Sequence, residues 1–314
     1  MNTLLVTGGS GMIGSALRNI LPNKGFSNVV FLSSREGDLR DTETCFGLFR
    51  RYKPDYVIHL AAKVGGVKAN SDYIGDFFKD NILINVNVLE AARIFNVKKA
   101  VSLLSTCVYP NKVTYPLTEN QFHNGEPHSS NFGYAYAKRM LDVQSRAYRE
   151  QYDCNFITAI PNNLFGENDN FDLQDSHVIP AMIRKIYEAK QESKKVTLWG
   201  DGAPLREFTY SEDLAEILLF LLEKYNGEHP INIGNTKEFS IKEIAHMLCE
   251  ILEYDRNLII WDKSQPAGQF KKPSNNIKLL DLGWEQEKYS NFKQVLKKVC
   301  NWFILNYPNV RGAN

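Results

Sequence analysis

The chain has 314 residues, of which 43% are hydrophobic and 23% charged, and its formal net charge is +1. These proportions are typical of a soluble globular protein. A charge this close to neutral does not favour a nucleic-acid or membrane surface, and no run approaches the roughly 20 apolar residues of a membrane span. The five cysteines are scattered without a metal-binding pattern, so we predict no metal site and expect a reducing, cytoplasmic location.

The first half of the chain alternates short apolar runs with helical patterns. We interpret the opening "MNTLLVTGGSG" as a first strand and not as a signal peptide. Further strands are predicted at "NVVFLS", "DYVIHLAA", "KAVSLLS" and "NFITAI", and helices at "IGSALRNIL", "DNILINVNVLEAARIF" and "YAYAKRMLDVQSRAYREQY". Strands that alternate with helices predict an α/β fold with a Rossmann-type, doubly wound parallel sheet.

The pattern becomes less regular after "PNNLFGENDNFD", which is rich in turn residues. Later helices are predicted at "HVIPAMIRKIYEAK", "EDLAEILLFLLEKY", "IKEIAHMLCEIL" and "FKQVLKKVCNWFILNY". We therefore predict a smaller C-terminal α/β domain that closes over the sheet and binds substrate. The Rossmann domain is predicted to take residues 1–163 with about 207–233, and the second domain about 164–206 with 234–314.

A glycine-rich loop, "TGGSGMIG", follows the first predicted strand and opens a helix. Gly9, Gly11 and Gly14 match G-x-G-x-x-G, and Gly8 adds a further glycine. Glycines let the backbone turn sharply and approach a pyrophosphate, which then faces the N-terminus of the helix. An ordinary glycine turn is the alternative, but the strand–loop–helix context favours dinucleotide binding.

The second predicted strand ends in "VVFLSSRE". Folds that prefer NAD place an acid near this point, on the ribose 2′-hydroxyl. Here Ser33, Ser34 and Arg35 take that place, and these residues suit a 2′-phosphate. Although Glu36 is adjacent and a solvated arginine is the alternative, the sequence favours NADP(H).

Tyr134 and Lys138 are four residues apart at the start of a predicted helix and would share one face. An ammonium near a phenol stabilises the phenolate, so such a tyrosine can exchange a proton with a carbonyl or alcohol. Tyr289 and Lys293 repeat the spacing without a catalytic context. The first pair differs because it follows a strand that ends in Ser105, whose hydroxyl could polarise the same oxygen.

With these features, "TGGSGMIG", "HLAAKVGG", Ser105 and the Tyr134–Lys138 pair resemble the extended short-chain dehydrogenase/reductases. Within that superfamily, "STCVYP", "NFGYAYAK", "DNF…SHVIPAMIRK" and "LWGDGAPLREF" resemble the GDP-L-fucose synthase family, over nearly the whole chain. The resemblance implies a homodimeric, NADPH-dependent, bifunctional enzyme. Its substrate would be GDP-4-keto-6-deoxy-D-mannose, which is epimerised at carbons 3 and 5 and then reduced at carbon 4 to GDP-L-fucose.

The resemblance also gives a role to Cys107 in "STCVYP", and to His177. Inverting a carbon beside a ketone takes a base and an acid on opposite faces of the sugar. The resemblance implies Cys107 as the base and His177 as the acid. It also implies that Ser105 and Tyr134 stabilise the enolate oxygen. Lys138 would then tune Tyr134 and bind the nicotinamide ribose. The alternatives are a cysteine that fills the core and a histidine that only begins a helix.

The same resemblance assigns binding residues. Contacts to the cofactor are implied for Gly8, Gly9, Ser10, Gly11, Met12, Ile13, Gly14, Arg35, Asp38, Leu39, Leu60, Ala61, Ala62, Lys138, Pro161, Asn162, Asn163, Leu164 and His177. Contacts to the GDP-sugar are implied for Lys185, Trp199, Arg206 and Lys272, whose cations suit a diphosphate and whose ring suits a sugar or base. The chain departs from the family pattern at Asn162, where threonine is more common, and at Ala267-Gly268, where Asp-Gly is common.

Other functions fit part of this pattern. Another nucleotide-sugar reductase or 4-epimerase of the same superfamily would need neither Cys107 nor His177. A catalytically silent NADP(H)-binding sensor would not need Ser105, Tyr134 and Lys138.

Overall fold

The computed structural model describes residues 2–26, 28–264 and 270–313. Its strands, in chain order, are β1 (Thr3–Thr7), β2 (Asn28–Leu32), β3 (Tyr56–His59), β4 (Lys99–Leu103), β5 (Phe156–Pro161), β6 (Asn163–Phe165), β7 (Val196–Trp199), β8 (Leu205–Tyr210), β9 (Ile231–Ile233), β10 (Glu238–Ser240) and β11 (Ile259–Asp262). Its α-helices are α1 (Met12–Ile20), α2 (Thr42–Tyr52), α3 (Val67–Asp72), α4 (Ile74–Ile94), α5 (Phe132–Tyr152), α6 (Val178–Gln191), α7 (Ser211–Lys224), α8 (Ile241–Leu252), α9 (Ile277–Asp281) and α10 (Phe292–Asn306). Among these, no helix is both long enough and apolar enough to cross a membrane.

A six-stranded parallel sheet forms the centre of the molecule, in the order β2-β1-β3-β4-β5-β9. Successive side chains of a strand point to opposite faces of a sheet. Leu4 and Val6 accordingly join a core with α1 and α7, whereas Leu5 joins the core with α2, α4 and α5 on the other face. Both faces are covered by helices, which confirms the predicted Rossmann-type, doubly wound sheet.

The C-terminal region has smaller sheets and a core of its own. One sheet has the order β10-β8-β6, and the other pairs β11 with β7. Helices α6, α8 and α10 pack together over side chains such as Phe171, Ile183, Leu248 and Phe303. This arrangement confirms a smaller C-terminal α/β region.

Elements cross between these regions. β9 pairs with β5 in the central sheet, and α7 contributes Leu214 and Leu218 to the same core as α1. The residue boundaries of the two domains stay a prediction. The strand predicted at "DYVIHLAA" ends at His59, so Leu60, Ala61 and Ala62 lie in the following loop, at the carboxyl edge where parallel sheets bind ligands.

Candidate active site

The glycine-rich loop packs closely enough to require its glycines. Gly8 has a φ of +69°, and a Cβ built there would lie 2.8 Å from the backbone N of Ala61. A Cβ on Gly14 would lie 2.6 Å from the carbonyl oxygen of Gly8. The N-cap residue of α1 is Gly11, so no side chain caps the first turn of the helix. The loop therefore presents free backbone N–H groups at a helix N-terminus, which fits a pyrophosphate.

The turn after β2 fixes the position of the Glu36 carboxylate. Its carboxylate accepts hydrogen bonds from the N–H and the hydroxyl of Ser33, each at 2.6 Å. These bonds hold the pKa of Glu36 below its ordinary value. Arg35 and Ser34 are exposed beside it. The Glu36 carboxylate is therefore held against Ser33, and the Arg35 side chain is exposed next to it.

A buried hydrogen-bonded chain fixes the loop that follows β3. The Thr7 hydroxyl accepts from the N–H groups of Leu60 and Ala61, each at 3.1 Å, and lies 2.8 Å from His59 Nδ1. His59 Nε2 lies 3.1 Å from Asn85 Oδ1 on α4. Burial, with the nearby Lys138 charge, lowers the pKa of His59 to about 3. A neutral histidine therefore links β1, the 60–61 backbone and α4 without titrating near neutral pH.

The structure places Tyr134 and Lys138 on α5, facing the end of β4. Lys138 Nζ donates a hydrogen bond of 2.7 Å to the carbonyl oxygen of Leu103 and lies 5.8 Å from the centroid of the Tyr134 ring. Burial lowers the pKa of Lys138 to about 8 and raises that of Tyr134. Phe77 meets the Tyr134 ring edge-on, with centroids 6.3 Å apart. The pair is thus held in a largely desolvated site, where a proton donor and its cationic neighbour act strongly on each other.

Ser105 and Cys107 lie on the loop directly after β4. The Ser105 hydroxyl accepts from the Cys107 N–H at 3.4 Å. Lys272, from a distant part of the chain, donates to the carbonyl oxygen of Thr106 between them at 3.0 Å. Burial raises the pKa of the Cys107 thiol, whereas Ser105 and the charges of Lys272 and Lys138 lower it.

Cys107 and Lys272 line an open cleft of about 160 Å³. The other side chains at its wall are Tyr109, Pro110, Asn111, Tyr115, His128, Ser130 and Asn131. The "STC" cysteine is therefore part of a cavity wall and not only of the core.

His177 is the N-cap residue of α6, and its side chain is 58% exposed. Its Nδ1 lies 4.0 Å from Asp169 Oδ1, and this carboxylate raises the pKa of the imidazole. The adjoining turn contacts the loop after β3, because the Gly66 N–H donates to the carbonyl of Asp175 at 3.0 Å. Among the described residues, no hydrogen bond or ion pair joins His177 to Cys107 directly.

The predicted GDP-sugar residues form two groups. Lys185 Nζ lies 5.3 Å from the Trp199 ring centroid, and this ring is 57% exposed. Arg206 donates to the carbonyls of Leu205 and Phe270 and lies close enough to Lys272 to lower its pKa. In the second group, Lys272 lines the same cleft as Cys107, and Arg206 lies near Lys272. The first group offers a cation and a flat ring on α6 and β7.

The remaining predicted cofactor residues have varied surroundings. Asn162 is buried, with Nδ2 donating to Glu207 and to the carbonyl of Asn235. Asp38 is ion-paired with Arg40 at 2.7 Å. The others lie in the glycine loop and first turn of α1, in the buried core, or at the end of β5 and in β6, namely Ser10, Met12, Ile13, Leu39, Pro161, Asn163 and Leu164. Ala267 and Gly268 lie outside the described residues.

Three neighbours of the site were missed from sequence. Asp169 beside His177, Phe77 beside Tyr134, and Glu207 beneath the Lys272 segment contact predicted residues from elsewhere in the chain. The local signals for them were the adjacency of Glu207 to Arg206 in "LREF" and the place of Asp169 in the "DNF" motif.

Comparisons with known proteins agree with this geometry. The "NAD dependent epimerase/dehydratase family" matches residues 4–234. The chain is 44% identical to a GDP-L-fucose synthase of Dictyostelium discoideum, over 98% of this chain and 97% of that one. It is 38% identical to a probable GDP-L-fucose synthase of Drosophila melanogaster, over 99% of this chain and 100% of that one.

A solved structure is also similar. The chain is 41% identical to a GDP-L-fucose synthetase from Naegleria fowleri bound to NADP, with a TM-score of 0.93, over 99% of this chain and 95% of that one. The fold and the glycine loop are those of a dinucleotide-binding protein, and the family match identifies it as an epimerase or dehydratase. The chain belongs to the NAD dependent epimerase/dehydratase family and, within it, to the GDP-L-fucose synthases.

Proposed function

We propose that this protein is an NADPH-dependent epimerase-reductase that converts GDP-4-keto-6-deoxy-D-mannose to GDP-L-fucose. The observation that carries the proposal is that Cys107 lines the cleft on the loop that holds Ser105, beside Tyr134 and the buried Lys138. A reductase needs the pair and the serine only. A thiol in the same cleft adds a base for proton exchange at the carbons next to the ketone.

The residues present fit NADP(H). The loop from Gly8 to Gly14 would hold the pyrophosphate, and Arg35 would face the 2′-phosphate. Lys138 would bind the nicotinamide ribose. When bound, NADPH supplies the hydride that reduces carbon 4.

The cofactor preference gives a direct test. Arg35→Ala removes a charge-assisted contact worth about 1.5–3 kcal/mol, so the KM for NADPH should rise by roughly ten-fold or more. The KM for NADH should change little, since NADH has no 2′-phosphate. An equal rise for both cofactors would contradict the role of Arg35.

In the first stage, this chain moves protons. The Cys107 thiolate removes a proton from the carbon beside the ketone, and the electrons move to the carbonyl oxygen to form an enolate. Ser105 and Tyr134 donate hydrogen bonds to that oxygen. His177, on the other side of the substrate, returns a proton to the opposite face and inverts the centre.

In the second stage, the Tyr134 hydroxyl would give its proton to the carbonyl oxygen as carbon 4 is reduced. The product would be an alcohol. Lys138 stabilises the resulting phenolate. Lys185, Trp199, Arg206 and Lys272 bind the GDP-sugar through its phosphates and rings.

The test is to identify the product made from GDP-4-keto-6-deoxy-mannose and NADPH. GDP-L-fucose is the expected product. A 4-reduced sugar without inversion would identify a simple nucleotide-sugar reductase. No NADPH oxidation with any 4-keto-sugar nucleotide would leave only the sensor function.

We also propose a homodimer built on α4 and α5. Large apolar side chains are exposed on both helices, including Leu83 at 40%, Val86 at 44%, Met140 at 40% and Val143 at 38%. Gln144 of α5 donates to the carbonyl of Val86, so these helices present one continuous surface. Exposed apolar patches of this kind are typical of protein interfaces.

Light scattering should give a dimer mass, and Val143→Arg should convert it to a monomer. Ile277→Arg is the matched control, because Ile277 is an apolar residue that is 57% exposed on α9 and not on α4 or α5. A monomeric wild-type protein at micromolar concentration would refute the dimer. The cytoplasmic location stays a prediction.

A further inference from the structure

We propose that Glu207 is a positioning residue: through Ser274 it holds residues 270–276 across the cleft, so that the Lys272 ammonium rests on the loop that carries Cys107. This inference rests on the proposed function, in which Cys107 exchanges protons with the substrate. Glu207 itself touches neither the thiol nor the substrate in this scheme.

Glu207 is a carboxyl group on β8 that is only 2% exposed. It accepts hydrogen bonds from the Ser274 N–H at 2.9 Å, from the Ser274 hydroxyl at 2.5 Å and from Asn162 Nδ2 at 3.3 Å. Burying a charged group is costly unless such donors satisfy it. Burial raises the pKa of Glu207 above its ordinary value, and the bonds from Ser274 act in the opposite direction. Three donors converge on this carboxyl group, yet none of the proposed chemistry uses it.

The segment held by Glu207 connects the two regions of the molecule. On one side, the carbonyl of Phe270 accepts from the Leu205 N–H at 2.7 Å. On the other, the carbonyl of Pro273 accepts from the Leu117 N–H at 2.8 Å. Buried side chains also fix the segment: Glu207 accepts from the Ser274 hydroxyl, Asn232 donates to the carbonyl of Asn275, and Asn276 donates to the carbonyl of Gly234. Of these contacts, the bond between Glu207 and Ser274 is the nearest to Lys272 in the chain.

Lys272 lies between these attachments, two residues before Ser274. Its Nζ donates to the carbonyl of Thr106 at 3.0 Å, directly beside Cys107 in the chain. The place of the ammonium is therefore set by the segment, since Lys272 belongs to no helix or strand. A segment free to move at Ser274 would let the ammonium leave the Thr106 carbonyl.

The charged and titratable groups that face Cys107 are Lys272, Lys138, Arg139 and Tyr134, and His128 lines the same cleft. Lys138 and Arg139 are fixed on α5, whereas Lys272 reaches the thiol from the segment. The three cations favour the thiolate that proton abstraction requires. Because a Coulomb interaction weakens as separation grows, movement of Lys272 would reduce this support.

The chain offers a matched control for the contact between Glu207 and Ser274, which we call the latch. Ser290 donates its N–H to Asp213 at 3.0 Å and its hydroxyl to the same carboxylate at 2.6 Å. Asp213 is also buried, at 7% exposure, and burial raises its pKa. Ser290→Ala and Ser274→Ala therefore remove the same kind of hydrogen bond from a buried carboxylate, but only Ser274 lies beside the Cys107 cleft.

The experiment measures the pH dependence of Cys107 alkylation by iodoacetamide in the full-length protein, with the modified peptide quantified by mass spectrometry. Lys272→Met sets the reference for loss of the ammonium and should move the alkylation midpoint to higher pH. Ser274→Ala should move it in the same direction by a smaller amount, and Ser274→Thr, which keeps the hydroxyl, should restore it. Ser290→Ala should leave the midpoint unchanged. Thermal unfolding establishes that the variants fold.

A Ser274→Ala midpoint equal to that of Ser290→Ala would overturn the proposal. A Glu207→Gln change that adds fully to Ser274→Ala would also overturn it, because residues acting through one contact are not additive. Should Glu207→Gln fail to fold, the serine variants still decide. The readout needs no sugar nucleotide, so failure to form GDP-L-fucose with a normal alkylation result would reject the proposed function and leave the latch in place.

Discussion

Tyr134 and Lys138 on α5, and Tyr289 and Lys293 near the start of α10, have the same residue types at the same spacing. The first lysine is 3% exposed and bonded to the carbonyl of Leu103. The second forms an exposed ion pair with Glu250 at 2.6 Å. The same four-residue spacing therefore gives a buried, desolvated pair in one region and an ordinary surface cation in the other.

The difference arises from the elements around each pair. Tyr134 lies within α5, so it shares a helix face with Lys138. Tyr289 precedes α10, which begins at Phe292, and its hydroxyl donates to the carbonyl of Gly234 at 2.6 Å. Spacing thus predicts a reactive tyrosine only where a helix has already started and its face meets the carboxyl edge of the sheet.

The largest expected effect compares the two tyrosines. Tyr134→Phe removes the proton donor to the carbonyl oxygen, and NADPH oxidation with GDP-4-keto-6-deoxy-mannose should fall about 10²–10⁴-fold, the range of general acid catalysis. Tyr289→Phe removes one structural hydrogen bond and should lower thermal stability with little change in kcat. Stopped-flow absorbance of NADPH measures both variants. Equal losses of kcat would show that the α5 pair has no special role.

The next effect separates proton exchange from reduction. Cys107→Ser replaces a thiol with a hydroxyl, a much weaker base, and should slow deuterium uptake at carbons 3 and 5 by about 10²-fold or more. Slow reduction of the unepimerised ketone should remain, because Tyr134 and Lys138 are intact. Cys154→Ser is the control, since Cys154 follows the far end of α5. Mass spectrometry of the sugar nucleotide in heavy water reports the exchange, and a wild-type rate in Cys107→Ser would reduce Cys107 to a packing residue.

The two regions differ in how far sequence could predict them. The glycine loop was predictable because its requirements are local: Gly8 needs a positive φ, and Gly14 needs room against the Gly8 carbonyl. The long helices were predictable from their apolar period. Strands β6, β9 and β10 have three residues each, too few to show an alternation.

The substrate side of the site was less predictable for a physical reason. Lys272 and Thr106 are 166 residues apart in the chain, and their contact depends on how residues 270–276 cross the cleft. The resemblance to a family gave Lys272 a role, but no local pattern could give its hydrogen bond or the latch between Glu207 and Ser274. Asp169 next to His177 was likewise set by tertiary folding, within a turn whose composition predicted only a loop.

A smaller effect is expected when a cation beside the cleft is removed, in comparison with one on the surface. Arg206→Ala should raise the KM for the GDP-sugar by roughly ten-fold, the value of one charge-assisted hydrogen bond to phosphate, with a smaller change in kcat. Lys293→Ala removes the exposed cation of the second pair and should change neither. Initial rates against substrate concentration measure both constants. An unchanged KM in Arg206→Ala would place that guanidinium outside the substrate site.

The smallest expected effect concerns the influence of the Asp169 charge on the pKa of His177. The Asp169 carboxylate, 4.0 Å from His177 Nδ1, raises the pKa of the imidazole above its ordinary value. An acid must be protonated, so exchange that depends on His177 should fall as the pH rises through this raised pKa. Asp169→Asn lowers the pKa, and the fall should begin at lower pH while the rate at acidic pH stays near the wild-type rate.

The measurement is deuterium uptake across the pH range in Asp169→Asn, His177→Gln and the double variant. In the His177→Gln background there is no imidazole for Asp169 to affect, so adding Asp169→Asn should not shift the pH dependence of the remaining deuterium uptake. A loss of exchange that is the same at every pH would instead mean that Asp169 only shapes the turn before α6, since a structural defect does not follow the titration of a histidine. The direction of the shift therefore decides between the two roles, because only the charge of Asp169 can move the midpoint to lower pH when it is removed.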